Sequence, residues 1–125
     1  MMILAALIIC AVLFGLGVFQ LFLAAGAPLG RFAWGGQYRV LPTRLRIGSI
    51  VSTVLYAVFA VAVLDRGGML SMLPEQAAQI SVWVIAGLFL LGAIPNLISR
   101  SKPERYVMAP LALLLSVLSL VVALG

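Results

Sequence analysis

The stretch ILAALIICAVLFGLGVFQLFLAA, residues 3–25, runs for 23 residues without a charge. A helix crossing the hydrocarbon core of a bilayer needs about 20 such residues. A soluble core helix of this length would show a polar face, and this stretch has none. Its solvent is therefore lipid. It has no basic leader and is longer than the usual apolar segment of a signal peptide, so it is expected to be a retained span.

Three further runs have the same character, at about residues 47–64, 77–98 and 106–124. Strand spans would be about half as long and would alternate in polarity, which these do not. Backbone groups in lipid must bond within the segment, so the spans are helical. The expected fold is an all-α transmembrane four-helix bundle with antiparallel neighbours. It forms one integral membrane domain over residues 1–125. Composition agrees: 65% of the 125 residues are hydrophobic and 9% are charged, too apolar for a soluble fold of this size.

The basic residues are sorted. Arg31, Arg39, Arg44 and Arg46 lie between the first two spans, and Arg100, Lys102 and Arg105 between the last two. Only Arg66 lies in the middle connection, beside Asp65 and near Glu75. Positive charge marks cytoplasmic loops. Both termini are then extracytoplasmic, and the arginine-bearing loops meet the anionic leaflet. The net charge of +5 follows from this sorting, without a nucleic-acid partner.

Punctuation residues bound the helices. Pro74-Glu75 suits the start of the third span, and Gly67-Gly68 ends the second. Ser101-Lys102-Pro103-Glu104 has the pattern of a capping box opening the fourth. Pro95 should kink or end the third. Pro42-x-Arg44 and Pro103-x-Arg105 precede spans two and four alike, a faint trace of a parallel duplication.

Small and polar residues fall on helix faces. Span four carries Ala109, Ala112, Ser116, Ser119 and Ala123 on one stripe, a packing seam where lipid supplies no hydrophobic drive. Span two carries Ser49, Thr53, Tyr56 and Ala60, with Ser52 beside them. Span one carries Gly17, Gln20 and Ala24, and span three Gly92 and Asn96. Two roles are open to these faces. The hydroxyls and amides can simply join helices. Alternatively Gln20, Ser49, Ser52, Thr53, Asn96 and Ser99, all in the halves nearer the arginine loops, can line a polar cavity. Either way, Gln20 or Asn96 is expected to bond across helices, because a buried amide in lipid requires a partner.

Several chemistries lack their residues. The chain has no histidine, and its single cysteine, Cys10, lies inside an apolar run. No metal motif or nucleophile triad can be assembled, and three acids on separate segments make no obvious carboxylate pair. No acid or base lies well inside a span. The mid-membrane glutamate of small multidrug exporters and the TFSTF segment of small fluoride channels thus have no counterpart. Gly30 and Gly35 have phosphate-loop spacing, but Gly35-Gly36-Gln37 stands where Gly-Lys-Ser/Thr would be required. No cofactor is expected, and the expected role is non-enzymatic.

The first loop, GRFAWGGQYR at residues 30–39, combines interfacial aromatics and arginines with a glycine pair. Phe32, Trp34 and Tyr38 suit the headgroup region. Arg44 and Arg46 stand at the unfavourable end of the second helix's dipole, so an anion should offset them. An interfacial belt does not require Gly35-Gly36, which suggests a loop folded back against the bundle near Gln20 and Asn96. The segments GAPLGRFAWGGQYRVLPTRLRIGS (26–49) and NLISRSKPERYVMAP (96–110) resemble a family of uncharacterised small four-span bacterial membrane proteins. That resemblance implies a multi-pass protein of the bacterial cytoplasmic membrane and carries over no catalytic residues.

The candidate ligand-binding residues are Gln20, Arg31, Trp34, Gly35, Gly36, Arg39, Arg44, Arg46, Ser49, Thr53, Asn96 and Arg105. The leading expectation is a protein that engages membrane lipids, anionic headgroups above all, or a partner through the basic loop. It could stand as a homodimer or within a larger membrane complex. The alternative is a small-molecule transporter or channel acting as an oligomer.

Overall fold

The computed structural model describes residues 2–125, apart from the side chain of Trp34. Every regular element among them is helical. α1 spans Met2–Ala24, α2 Thr43–Arg66, α3 Glu75–Leu97 and α4 Ala109–Leu124. A wider π-turn at Glu104–Met108 leads into α4. Counted with that turn, all four are long and apolar enough to cross a membrane. A 23-residue helix is about 35 Å long, against a hydrocarbon core of about 30 Å.

The starts follow prolines. Pro42 and Pro74 occupy the N-cap positions of α2 and α3 in extended conformation, where a missing N–H costs nothing. α2 begins four residues before the apolar run at residue 47, because Thr43, Arg44 and Arg46 form its first turn outside the apolar stretch. Gly67 caps its far end, and Gly68 follows with φ 85°. Pro95 lies in the last turn of α3, which ends at Leu97 rather than at the proline.

The fourth helix departs from expectation. Ser101 does not close a capping box with Glu104. Its hydroxyl donates instead to the Arg31 carbonyl, and the Glu104 carboxyl turns to the Gly35 N–H. The turn that follows bonds from the Ala109 N–H to the Glu104 carbonyl, five residues back. Pro110 gives the reason: it has no N–H, and its ring crowds the carbonyl four residues earlier, so the preceding turn widens.

α1 packs chiefly on α2 and α3 on α4, with α1–α4 and α2–α3 contacts closing the bundle. Ala5, Ala6, Ile9 and Leu13 of α1 meet Ala62 and Val63 of α2, Val82, Ile85 and Phe89 of α3, and Leu115, Val122 and Ala123 of α4. The seam on α4 forms: Ala109, Ser116, Ser119 and Ala123 are buried, and Ala112 is partly so. The Ser116 hydroxyl donates to the Ala86 carbonyl of α3 at 2.9 Å. Such a bond contributes about 0.6 kcal/mol in a membrane bundle. Phe14, Val54, Leu91 and Val117 point outward and are exposed, as lipid-facing side chains are.

The two ends of the bundle differ. At one, Gly67 backs against Ala6, and Arg66 donates to the Gly125 carbonyl at 3.0 Å. Asp65 accepts from the Met72 and Leu73 N–H groups at 2.6 and 2.8 Å, which fastens the short α2–α3 connection. At the other, the two arginine-bearing loops meet.

Candidate functional site

The first loop folds onto the end of the bundle. Two short 3₁₀ turns, Gly30–Phe32 and Trp34–Gly36, compact it. The Gly30 N–H donates to the Arg39 carbonyl at 2.9 Å, which brings the ends of the stretch together. A Cβ on Gly30 would sit 1.8 Å from the Tyr38 carbonyl oxygen, so only glycine fits there. Leu23, Leu41 and Leu45 are buried beneath the loop with Phe19, Leu29, Ala33 and Tyr38 packed around them. The Phe32 ring meets Phe19 of α1 edge-on, centroids 6.0 Å apart.

The glycine pair has a geometric cause. Gly35 and Gly36 both have positive φ, 71° and 73°. That conformation aims the Gly35 N–H at Glu104 Oε2, 2.9 Å away. A Cβ on Gly36 would lie 2.6 Å from the Ser101 Cβ, so this residue also allows the two loops to touch. The remainder left by an interfacial belt is thus a junction between the α1–α2 loop and the start of the fourth helix.

Beneath that junction is a cavity of about 250 Å³. Gln20 of α1, Ser49, Ser52 and Tyr56 of α2, Asn96 of α3 and Glu104 give it polar walls. Phe32 and Ala33 of the loop roof it, and Phe19, Phe89 and Leu115 supply apolar surface. Gln20 of α1 and Tyr56 of α2 stand together on its wall. The Ser49 side chain, 2% exposed, has no hydrogen-bond partner for its hydroxyl among the described residues. Glu104 is 4% exposed, and its carboxyl accepts from the Gly35 N–H.

The structure separates the expected site residues. Gln20, Ser49 and Asn96 line the cavity, as does Ser52. Thr53 does not: its hydroxyl returns one turn to the Ser49 carbonyl at 3.0 Å, as threonine does in a helix. Ser99 is buried in the α3–α4 connection, where its Oγ accepts from the Ser101 N–H. Gly35 and Gly36 serve through the backbone. The side chain of Trp34 lies outside the described residues.

The arginines surround the site rather than line it. Arg31, Arg39 and Arg44 are exposed. The Arg31 guanidinium stacks over the Phe32 ring at 5.2 Å. Arg46 donates to the Leu41 carbonyl at 2.9 Å and packs against Gly26. Arg105 reaches the Ser99 carbonyl at 3.4 Å and lies over the Tyr106 ring at 4.9 Å.

Glu104 is the residue that sequence reasoning missed as a cavity group. Placed in a cap before a span starting at residue 106, it counts as interfacial. Once the helix begins earlier and its first turn widens, the same side chain points inward. Pro110 is the signal that could have revealed this. No family model, curated protein or solved structure matches the chain.

Proposed function

We propose that this is a non-enzymatic, multi-pass protein of the bacterial cytoplasmic membrane that holds a small ligand in the cavity beneath its first loop. The supporting observation is the cavity itself: polar groups from all four helical segments converge under a loop built to roof them. Its volume of about 250 Å³ lies just below the roughly 300–1,000 Å³ of drug-sized sites, which suits a small molecule. Toward the opposite end the interior is filled by Ala6, Ile9, Val63, Val82 and Val122, which favours a binding pocket over an open channel. An oligomeric transporter would need a second conformation to open that half. The resemblance to small four-span bacterial membrane proteins agrees with this setting.

In this proposal the arginine-rich end faces the cytoplasm, both termini lie outside, and sequential helices run antiparallel. The sorting of basic residues supports the orientation. The contacts of Gly67 with Ala6 and of Arg66 with Gly125 support the antiparallel course. The exposed Arg31, Arg39 and Arg44 would then rest on anionic headgroups at about 1 kcal/mol each. A homodimer or a larger membrane complex is compatible with the apolar exterior.

The test replaces Gln20 and Asn96 together with leucine, which fills the cavity with apolar side chains. Native mass spectrometry of protein extracted from membranes should show a small bound species in the wild type and its loss in the double variant. Identical spectra without bound mass would reject the binding role. A C-terminal tag accessible only from the cytoplasm would reverse the orientation.

A further inference from the structure

We infer that the cavity selects a small organic ammonium ion, with Glu104 as its counter-charge. This rests on the proposed ligand-binding role and specifies the ligand's chemistry. The central observation is a carboxylate deprived of a cation where cations are abundant. Glu104 is 4% exposed and lines the cavity, and three arginines of the surrounding loops engage other groups. Arg31 lies over Phe32, Arg46 bonds the Leu41 carbonyl, and Arg105 turns to the Ser99 carbonyl and the Tyr106 ring. A buried carboxyl with no counter-charge beside it is costly to ionise, and in a membrane protein such a group marks a functional position. The partner is then supplied from outside the chain.

Two further features suit an ammonium rather than a metal ion. The carboxylate shares the cavity with the rings of Phe19, Phe32, Tyr56 and Phe89. Aromatic faces attract organic cations, and the attraction is strongest in desolvated sites. A metal ion would require several more oxygen or nitrogen donors close to Glu104. The unpartnered Ser49 hydroxyl and the Asn96 amide offer hydrogen bonds to a polar substituent on the ligand. The π-turn carries both Glu104 and Met108 to the cavity wall. Widened turns of this kind recur at functional sites.

The experiment uses the full-length protein in neutral detergent and isothermal titration with choline and with 3,3-dimethylbutan-1-ol, its uncharged isostere. Choline should bind saturably and about tenfold or more tighter than the neutral compound. Glu104→Gln keeps an acceptor for the Gly35 N–H and should abolish that preference. Thermal unfolding of the variant checks that it is folded. Arg100→Gln, at an exposed position outside the cavity, should leave choline binding unchanged. Equal binding of the two compounds would overturn the charge selectivity while leaving the binding role intact. Binding of neither compound, in a wild type that still carries bound species from membranes, would overturn the ammonium assignment. Absence of both probe binding and copurified species would overturn both proposals.

Discussion

The two ends of this bundle solve opposite problems with the same four helices. At the Arg66 end a short connection is tied by Asp65, and Ala6, Val63, Val82, Val122 and Ala123 pack the interior between the helices. At the arginine-rich end an 18-residue connection separates α1 from α2, and amides, hydroxyls and a carboxyl surround a cavity. Close packing and the Asp65 and Arg66 hydrogen bonds hold the first end. The second keeps buried polar groups that packing does not need, and uses glycines at special positions to hold a roof over them. Stability and the candidate site are thus carried by separate halves of the same helices.

That contrast can be broken most sharply at Gly30. Gly30→Ala drives a methyl into the Tyr38 carbonyl and should cost about 1–3 kcal/mol through forced backbone shifts. Thermal unfolding should detect it, and the loop should become sensitive to protease. Gly35→Ala should cost about 1–2 kcal/mol, the strain of an alanine held at positive φ. Relief of that strain would move the N–H away from Glu104, so ligand affinity should fall along with stability. Ser116→Ala, on the α3–α4 seam and outside the cavity lining, should cost only about 0.6 kcal/mol and leave binding untouched. A large loss of binding from Ser116→Ala would show that packing and the site are not separable.

The four spans are legible because lipid imposes a length and polarity that no other solvent requires. Pro42, Pro74 and Gly67 act where local rules place them. The seam on α4 is legible too, since small residues at alternating three- and four-residue steps have few other uses in a membrane. The site is only half legible. Gln20, Ser49, Ser52 and Asn96 follow from facing one end of their helices. Thr53 shares that face but satisfies its hydroxyl locally. Glu104 escaped because a Ser-x-x-Glu pattern has a strong local meaning, whereas here each member bonds to the first loop. Cross-loop contacts between residues about 70 apart leave no local trace. Only Pro110, by forbidding a regular turn before it, hints that the side chain is redirected.

Polar, ligand-accessible space enters the bundle interior at the arginine-rich end, whereas the helices of the other half close on an apolar interior and the polar recess at Asp65 and Glu75 stays in the α2–α3 connection. Cysteine labelling tests this directly, since Cys10 is the only native thiol and can be replaced by alanine. In that background, Ser52→Cys lines the cavity and Ser119→Cys lies in the sealed core. Aminoethyl methanethiosulfonate, a small cationic thiol reagent, should modify the Ser52→Cys protein and leave the Ser119→Cys protein unmodified in inverted membrane vesicles. Choline should slow the first reaction. Equal reactivity at the two positions, or none at Ser52→Cys, would contradict the division of the bundle into a packed half and a binding half.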